Sequence, residues 1–228
     1  MENTFPEYKT ETLRLELAGT SFHIIRVTNT DELYAKLVEK GEGHADVLDE
    51  RIPYWADLWP SALALAEEIM TNPIISAGRS VLEIGCGLGL PGLAAGKRGA
   101  KIVMTDYLPE PLAFAKKNWR ENLSTEGDFG LLDWRNPGPG FASEILLASD
   151  VAYEKRSFES LLKAFRTLVL PGGRILLSEP NRPMAADFFR QLPGQGFDFR
   201  KKRVTVSLNG RANEVSVYEI WDKSNSDL

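Results

Sequence analysis

Val81-Leu82-Glu83-Ile84-Gly85-Cys86-Gly87-Leu88-Gly89-Leu90-Pro91-Gly92 is an apolar run that breaks into glycines and resumes as Leu93-Ala94-Ala95. Aliphatic residues around one acid, then a turn, then small apolar residues, read as a buried parallel strand entering a helix. Glycines at 85, 87 and 89 remove Cβ atoms, so the backbone can take unusual dihedrals and approach a ligand closely. The next strand, Lys101-Ile102-Val103-Met104-Thr105, delivers Asp106. It lies about 20 residues after Gly85, the spacing of an acid that grips a ribose in nucleotide-binding α/β folds. Turn and acid together point to an adenosine-containing cofactor.

Two cofactor classes fit that pattern. Gly87-x-Gly89-x-x-Gly92 formally matches the dinucleotide motif of NAD or FAD enzymes. Register argues the other way, because the first turn glycine should follow directly on the strand. That glycine is Gly85, and Leu90 then stands where the third dinucleotide glycine belongs. Glu83 is a second objection: a carboxylate at the strand end sits badly beside a pyrophosphate and suits a cation. S-adenosylmethionine carries a ribose, an adenine, an ammonium and a sulfonium, and no phosphate. It is the expected cofactor, with NAD or FAD as the alternative and an ordinary tight turn as the reading without a ligand.

The chain has 228 residues, 43% apolar and 26% charged, enough for one globular domain that buries roughly 70% of its unfolded surface. A net charge of −5 argues against a general nucleic-acid binder. The one clear basic run, Arg200-Lys201-Lys202-Arg203, reads as a solvated strand end. Cys86 is the single cysteine, which excludes an internal disulfide and is compatible with a reducing compartment. Inside the turn it reads as a small residue and not as a nucleophile. His23 and His44 with one cysteine give no metal-ligand spacing, so no metal is expected. Residues 1–7 lack the pattern of a secretion signal and no run is long enough to span a membrane. A cytoplasmic monomer is expected.

Alternation at Leu13, Leu15 and Leu17, a turn at Ala18-Gly19-Thr20 and an apolar run from Phe22 to Val27 predict an N-terminal β-hairpin. A helix at 31–38 follows, then a polar segment, 41–53, that is a candidate lid. Periodicity predicts helices at 57–70, 91–98, 109–122, 156–168 and 182–191, and strands at 81–84, 101–105, 129–132, 144–149 and 173–178. That alternation implies an α/β fold: a Rossmann-like, doubly wound, mostly parallel sheet. Strands near 197–207 and 213–221, joined at Asn209-Gly210, form a closing hairpin whose last strand should run antiparallel. Residues after Lys223 are expected to be a disordered tail.

Pro53-Tyr54-Trp55-Ala56-Asp57-Leu58-Trp59-Pro60-Ser61, the glycine turn, Asp106, Asp133-Trp134 and Ser149-Asp150-Val151-Ala152-Tyr153-Glu154 stand in this order. In that order they resemble the class I, seven-β-strand methyltransferases of the family-16 group, over roughly residues 50–180. That group includes protein-lysine methyltransferases and nicotinamide N-methyltransferase-like branches. The resemblance implies one methyltransferase domain over 1–228, with a hairpin and helix extension to residue 50, a cofactor-binding core at 51–222 and the tail beyond.

Carried across by residue, the resemblance implies that Trp59 packs beside the methionine part of S-adenosylmethionine. The turn of Gly85, Cys86, Gly87 and Gly89 cradles the cofactor, and Glu83 at the strand end is a further expected cofactor-binding residue by its suitability for a cation. Asp106 takes the ribose hydroxyls and is followed by Tyr107, where relatives vary. Trp134 flanks the adenine with Asp133 near its amino group, and the Ser149 backbone closes the pocket. Asp150-x-x-Tyr153 lies at the mouth of the acceptor channel, which makes Asp150 and Tyr153 the candidate catalytic pair, Asp150 orienting an acceptor amine. A protein lysine is the expected acceptor and a small amine the alternative. Glu179-Pro180-Asn181-Arg182 matches no substrate signature. A protein of this fold that binds without catalysis is the remaining rival reading.

Overall fold

The computed structural model describes residues 8–49 and 51–225; the readings made on residues 1–7 fall outside it. Strand β1 (Thr10–Leu17) turns back into β2 (Thr20–Val27) through Ala18 and Gly19 at φ 48° and 75°, both in the left-handed region that a two-residue hairpin requires. Helix α1 (Thr30–Glu39) carries Asp31 and Glu32 in its first turn and buries none of its residues. Within the candidate lid lies a short helix, α2 (Ala45–Leu48), capped by His44, whose ring nitrogen accepts the Asp46 N–H.

The helix expected at 57–70 starts later. Tyr54–Ala56 is a single 3-10 turn, Asp57 and Trp59 are extended, and α3 (Pro60–Thr71) begins at Pro60. Proline's fixed φ and missing N–H suit the first helical position and not the middle of a helix, so the chain enters α3 there.

The core follows as β3 (Ser80–Ile84), α4 (Leu90–Lys97), β4 (Lys101–Asp106), α5 (Pro109–Asn122), β5 (Asp128–Leu131), β6 (Ser143–Ser149), α6 (Phe158–Leu168), β7 (Val169–Glu179), α7 (Ala185–Gln191), β8 (Phe197–Leu208) and β9 (Arg211–Asp222). The strands form one seven-stranded sheet in the order β5-β4-β3-β6-β7-β9-β8. Pairs among β3 to β7 are parallel, while β9 runs antiparallel to both β7 and β8. The last strand therefore slots inside the sheet and leaves β8 at its edge. Asn209 and Gly210, at φ 52° and 73°, make the turn that the Asn-Gly pair predicts.

Side chains of the central strands alternate between two cores. Val81, Ile145, Leu147 and Leu176 face α3, α4 and α5, whereas Leu82, Leu146, Ala148, Ile175 and Leu177 face α6 and α7. Burial on both faces explains why these strands read as continuous apolar runs. The N-terminal hairpin is joined to the first core by two asparagines of α5. Asn118 accepts the Ile25 N–H at 2.7 Å and donates to the Ile25 carbonyl at 3.2 Å. Asn122 treats His23 in the same way, at 2.9 and 2.6 Å.

Three further boundaries differ from expectation. A 3-10 turn at Lys155–Ser157 precedes α6, and β7 reaches back to Val169 across Pro171-Gly172-Gly173. Helix α7 starts at Ala185 instead of 182, because Asn181 sits at φ 63° and Pro183 follows. The predicted disordered tail begins as a 3-10 turn, Lys223–Asn225, with the Lys223 N–H donating to the Gly196 carbonyl at 2.9 Å.

Candidate functional site

Strand order runs both ways from β3, and outside the C-terminal ends of β3, β4 and β6 opens a cleft of about 840 Å³. This is where an open parallel sheet offers room for a ligand, since the flanking connections diverge. Its floor is the glycine turn, with Gly85, Gly87 and Gly89 at φ 60°, 51° and 82°. A Cβ on Gly89 would meet Ala115 at 3.1 Å and the Met104 sulfur at 3.2 Å, so the turn lies tight on α5 and β4. Cys86 is buried, and burial pushes its thiol well above the ordinary range. That is the environment of a packed small residue and not one that favours a thiolate.

Asp106, 5% exposed, accepts the N–H of Gly87 at 3.1 Å and of Leu108 at 3.3 Å. Acid and turn are one hydrogen-bonded unit. Burial pushes the Asp106 carboxyl up to about 6 in spite of these donors.

Glu83 departs from expectation. It does not line the cleft; it is fully buried behind the turn, where one oxygen accepts the Gly92 N–H at 3.0 Å and the other has no partner. Burial pushes it well above the usual carboxylate range. The pleat of β3 turns this side chain under α4, so a carboxylate facing the cofactor's cation is corrected to one facing a helix. It still bears on phosphate, because it takes an N–H that the start of α4 would otherwise offer to an anion. Gly92 packs against the same place, 2.5 Å being left between its hypothetical Cβ and the Met104 sulfur. That is the helix-packing role of a third dinucleotide glycine, so spacing alone does not choose the cofactor.

Charge does choose. The cations lining the cleft among the described residues are Arg135, Arg156 and Arg182, and each is engaged by a carboxylate. A pyrophosphate would find none uncommitted. A cofactor without phosphate needs none, and the Cβ-free floor, buried acid and aromatic walls fit S-adenosylmethionine.

The walls come from distant segments. The Trp134 indole nitrogen stands 4.0 Å from where a Cβ on Gly85 would lie, and the Trp55 carbonyl 3.5 Å from that of Gly87. Trp59 donates its indole N–H to the Tyr54 carbonyl at 2.7 Å. Arg135 grips Asp133 through Nε at 2.8 Å and Nη2 at 2.9 Å, reaches Asp49 at 3.0 Å, and lies 5.1 Å over the Tyr107 ring. Asp133, expected beside an adenine amino group, thus has both oxygens on Arg135. The Tyr107 phenol is pushed up to about 12 by burial and by the Asp49 and Asp106 carboxylates.

Ser149, Asp150 and Tyr153 line the far end. Asp150 sits at φ 59°, a costly conformation for a residue with a side chain. Both of its carboxylate oxygens are held by the Arg182 guanidinium, Nη1 on one and Nη2 on the other. Arg182 in turn donates its backbone N–H to Glu179 at 2.8 Å, and Asn181 accepts from the Ser216 hydroxyl at 2.6 Å and donates to the Glu214 carbonyl at 3.0 Å. The unassigned stretch after β7 is therefore part of the site. Of the expected residues, all but Glu83 meet at this cleft. Sequence reasoning assigned no role to Asp49, Tyr54, Arg135 or Arg182, although Asp49 lay in the candidate lid, Tyr54 in the stretch 53–61 and Arg182 in the unassigned stretch after β7.

A family model described as lysine methyltransferase matches residues 54–195, more than half of the chain. Among curated relatives, the histone-arginine methyltransferase METTL23 of Rattus norvegicus is 30% identical over 190 residues, covering 72% of this chain and 84% of its own. EEF1A lysine methyltransferase 3 of Mus musculus is 30% identical over 178 residues, covering 73% and 76%. Among solved structures, magnesium protoporphyrin IX methyltransferase from Synechocystis PCC 6803 with bound S-adenosylmethionine superposes with a TM-score of 0.57 at 16% identity, covering 85% of this chain and 97% of that one, a likeness of fold. The dinucleotide and non-catalytic alternatives lose their footing on the same grounds. A phosphate-averse cleft, a sheet of this order and a family match across the whole cofactor half lead to one placement: the chain belongs to the lysine methyltransferase family and is an S-adenosylmethionine-dependent methyltransferase.

Proposed function

We propose that the enzyme methylates the side-chain nitrogen of a protein lysine. The observation that carries this is the meeting, in one cleft, of the glycine turn with Asp150 and Tyr153, in a chain of this family. When bound, S-adenosylmethionine would supply an activated methyl group on a sulfonium, which the neutral amine would take through its lone pair while the C–S electrons return to sulfur and the nitrogen gives its proton to solvent. The chain's part is placement and dryness, and orientation alone can contribute up to roughly 7–11 kcal/mol.

Each residue takes a share of that placement. Asp106 holds the ribose hydroxyls, Trp59 packs on the methionine end, and Trp134, with Tyr107 and the Asp133–Arg135 pair, bounds the adenine. Cys86, flanked by Gly85, Gly87 and Gly89, keeps the floor flat, and Ser149 closes it. Tyr153, 40% exposed, and Tyr54, 52% exposed, form an aromatic rim through which a long amine side chain can pass. An ammonium must lose a proton before it reacts, and an apolar passage beside a sulfonium lowers its pKa from about 10.4.

We place the enzyme as a cytoplasmic monomer, with nucleic acid outside its substrates. The buried lone thiol and the edge strand β8 support this, since charged edge residues discourage sheet-to-sheet pairing. The basic run on that strand is engaged within the fold: Arg200 on Glu219 at 2.7 Å, Lys202 on Glu68 at 2.6 Å, and Arg203 on Glu214 at 3.6 Å. No described helix is long and apolar enough to cross a membrane.

The test is incubation with methyl-labelled cofactor and a cell lysate divided by size. Label in methyl-lysine of the protein fraction is expected. Label confined to small amines would overturn the acceptor while leaving the transfer intact.

A further inference from the structure

We infer that Arg182 sets the acceptor preference of this site: by holding both oxygens of Asp150 it admits a lysine amine and refuses an arginine guanidinium. The inference rests on the reading above that Asp150 lies where the acceptor arrives. Within a family described as lysine methyltransferase, relatives named for arginine and for lysine both match this chain, so a residue that separates the two acceptors is of interest.

A guanidinium stays charged, presents its donors as a rigid fork and has no acceptor atom. A site that takes one needs a carboxylate with two available oxygens. Asp150 has both on Arg182, and Glu154 is tied to Arg156 at 2.6 Å. Glu179, 1% exposed, accepts the Arg182 N–H at 2.8 Å. Asp57, also on the cleft wall, has Arg26 and Asp31 as its charged neighbours. At Asp150 an incoming guanidinium would meet a like charge at Arg182 and no vacant fork.

A lysine differs in the form that reacts. The neutral amine needs one lone pair of a carboxylate to orient an N–H, and a carboxylate oxygen has room for a second donor. A guanidinium beside it also disfavours the ammonium form, in the same sense as the sulfonium. Arg182 can do this because its base is fixed: Asn181, at φ 63°, is pinned to Ser216 and Glu214 of β9.

Arg182→Gln and Arg182→Lys test the inference. Each variant and the wild type are incubated with methyl-labelled cofactor and the protein fraction of a cell lysate, and methyl-lysine and methyl-arginine are quantified after hydrolysis. Wild type is expected to label lysine, Arg182→Gln to raise the arginine-to-lysine ratio at least about tenfold, and Arg182→Lys, whose ammonium occupies one oxygen, to fall between. Calorimetric cofactor affinity within about twofold of wild type shows that a variant is folded, and Arg182→Lys decides the matter if Arg182→Gln is not. An unchanged ratio in a folded variant overturns the role of Arg182 alone, whereas wild-type labelling of arginine in place of lysine overturns the lysine reading as well. Label in neither amino acid overturns the lysine reading and this inference with it.

Discussion

Asp106 shows how one residue can serve the ligand at a cost to the fold. Its carboxyl is pushed up to about 6 by burial, so the folded chain binds a proton more tightly than the unfolded one. Stability of the free protein should therefore fall as pH rises from about 4 through about 6, with a cost on the order of 3 kcal/mol remaining at neutral pH. Cofactor binding runs the other way, because ribose hydroxyls need the ionised acceptor. Below pH 6 the wild-type affinity should drop roughly tenfold per pH unit, while Asp106→Asn should bind weakly at every pH with a flat profile. Calorimetry across pH 5–8 checks both; a wild-type affinity that ignores pH would remove Asp106 from the ribose site. Asp106 was legible in sequence because it closes a strand at a fixed distance from the turn. The Arg182–Asp150 pair was not, because no spacing rule relates positions 150 and 182.

At the scale of elements, the turn depends on a helix behind it and a hairpin beyond that. Asn118 of α5, with no exposed surface, donates to the Leu88 carbonyl inside the turn at 2.9 Å as well as bonding Ile25 of β2. Asn118→Ala would leave these buried backbone groups without partners and should cost roughly 2–4 kcal/mol. Urea unfolding measures it; a loss under about 0.5 kcal/mol would mean that the hairpin is not held through this side chain. Helix and strand types were legible because both faces of the sheet are covered and β3, β7 and β8 are followed at once by Gly85, Pro180 and Asn209. Boundaries slipped where a special residue acts locally, as at Pro60 and Asn181. Asn118 gave no signal, since a buried asparagine looks like any polar residue of an amphipathic helix.

For the whole molecule, the cleft is completed by segments far apart in the chain. Asp49 beyond α2 and Asp133 beyond β5 share Arg135, whose side chain is 43% exposed. Half-exposed ion pairs contribute little to global stability, so Arg135→Ala should change it by less than about 1 kcal/mol. Its effect should appear in ligand kinetics instead, as faster cofactor dissociation that the wild type approaches when salt screens the pairs. Stopped-flow dissociation at low and high salt checks this, and equal rates in both proteins would show that the bridge does not hold the cleft shut. S-adenosylmethionine at a hundred times its Kd should raise the melting temperature of the wild type by roughly 5–10 °C, and NAD should leave it unmoved.

What the sequence by itself determined was whatever local periodicity and short-range spacing encode. The alternation of strands and helices, the left-handed turns at Gly85, Gly87, Gly89 and Asn209-Gly210, and the acid at 106 all follow from steric rules within a few residues or one βαβ unit. The tertiary structure alone decided which charges meet. Glu83 went under α4 and not into the cleft, Asp133 was matched to Arg135 and Asp49, and Asp150 to Arg182. Those pairings depend on which loops the sheet order brings to one end. Charged side chains carry no periodic signal of their partner, because attraction between them acts only once packing has set them within a few ångströms.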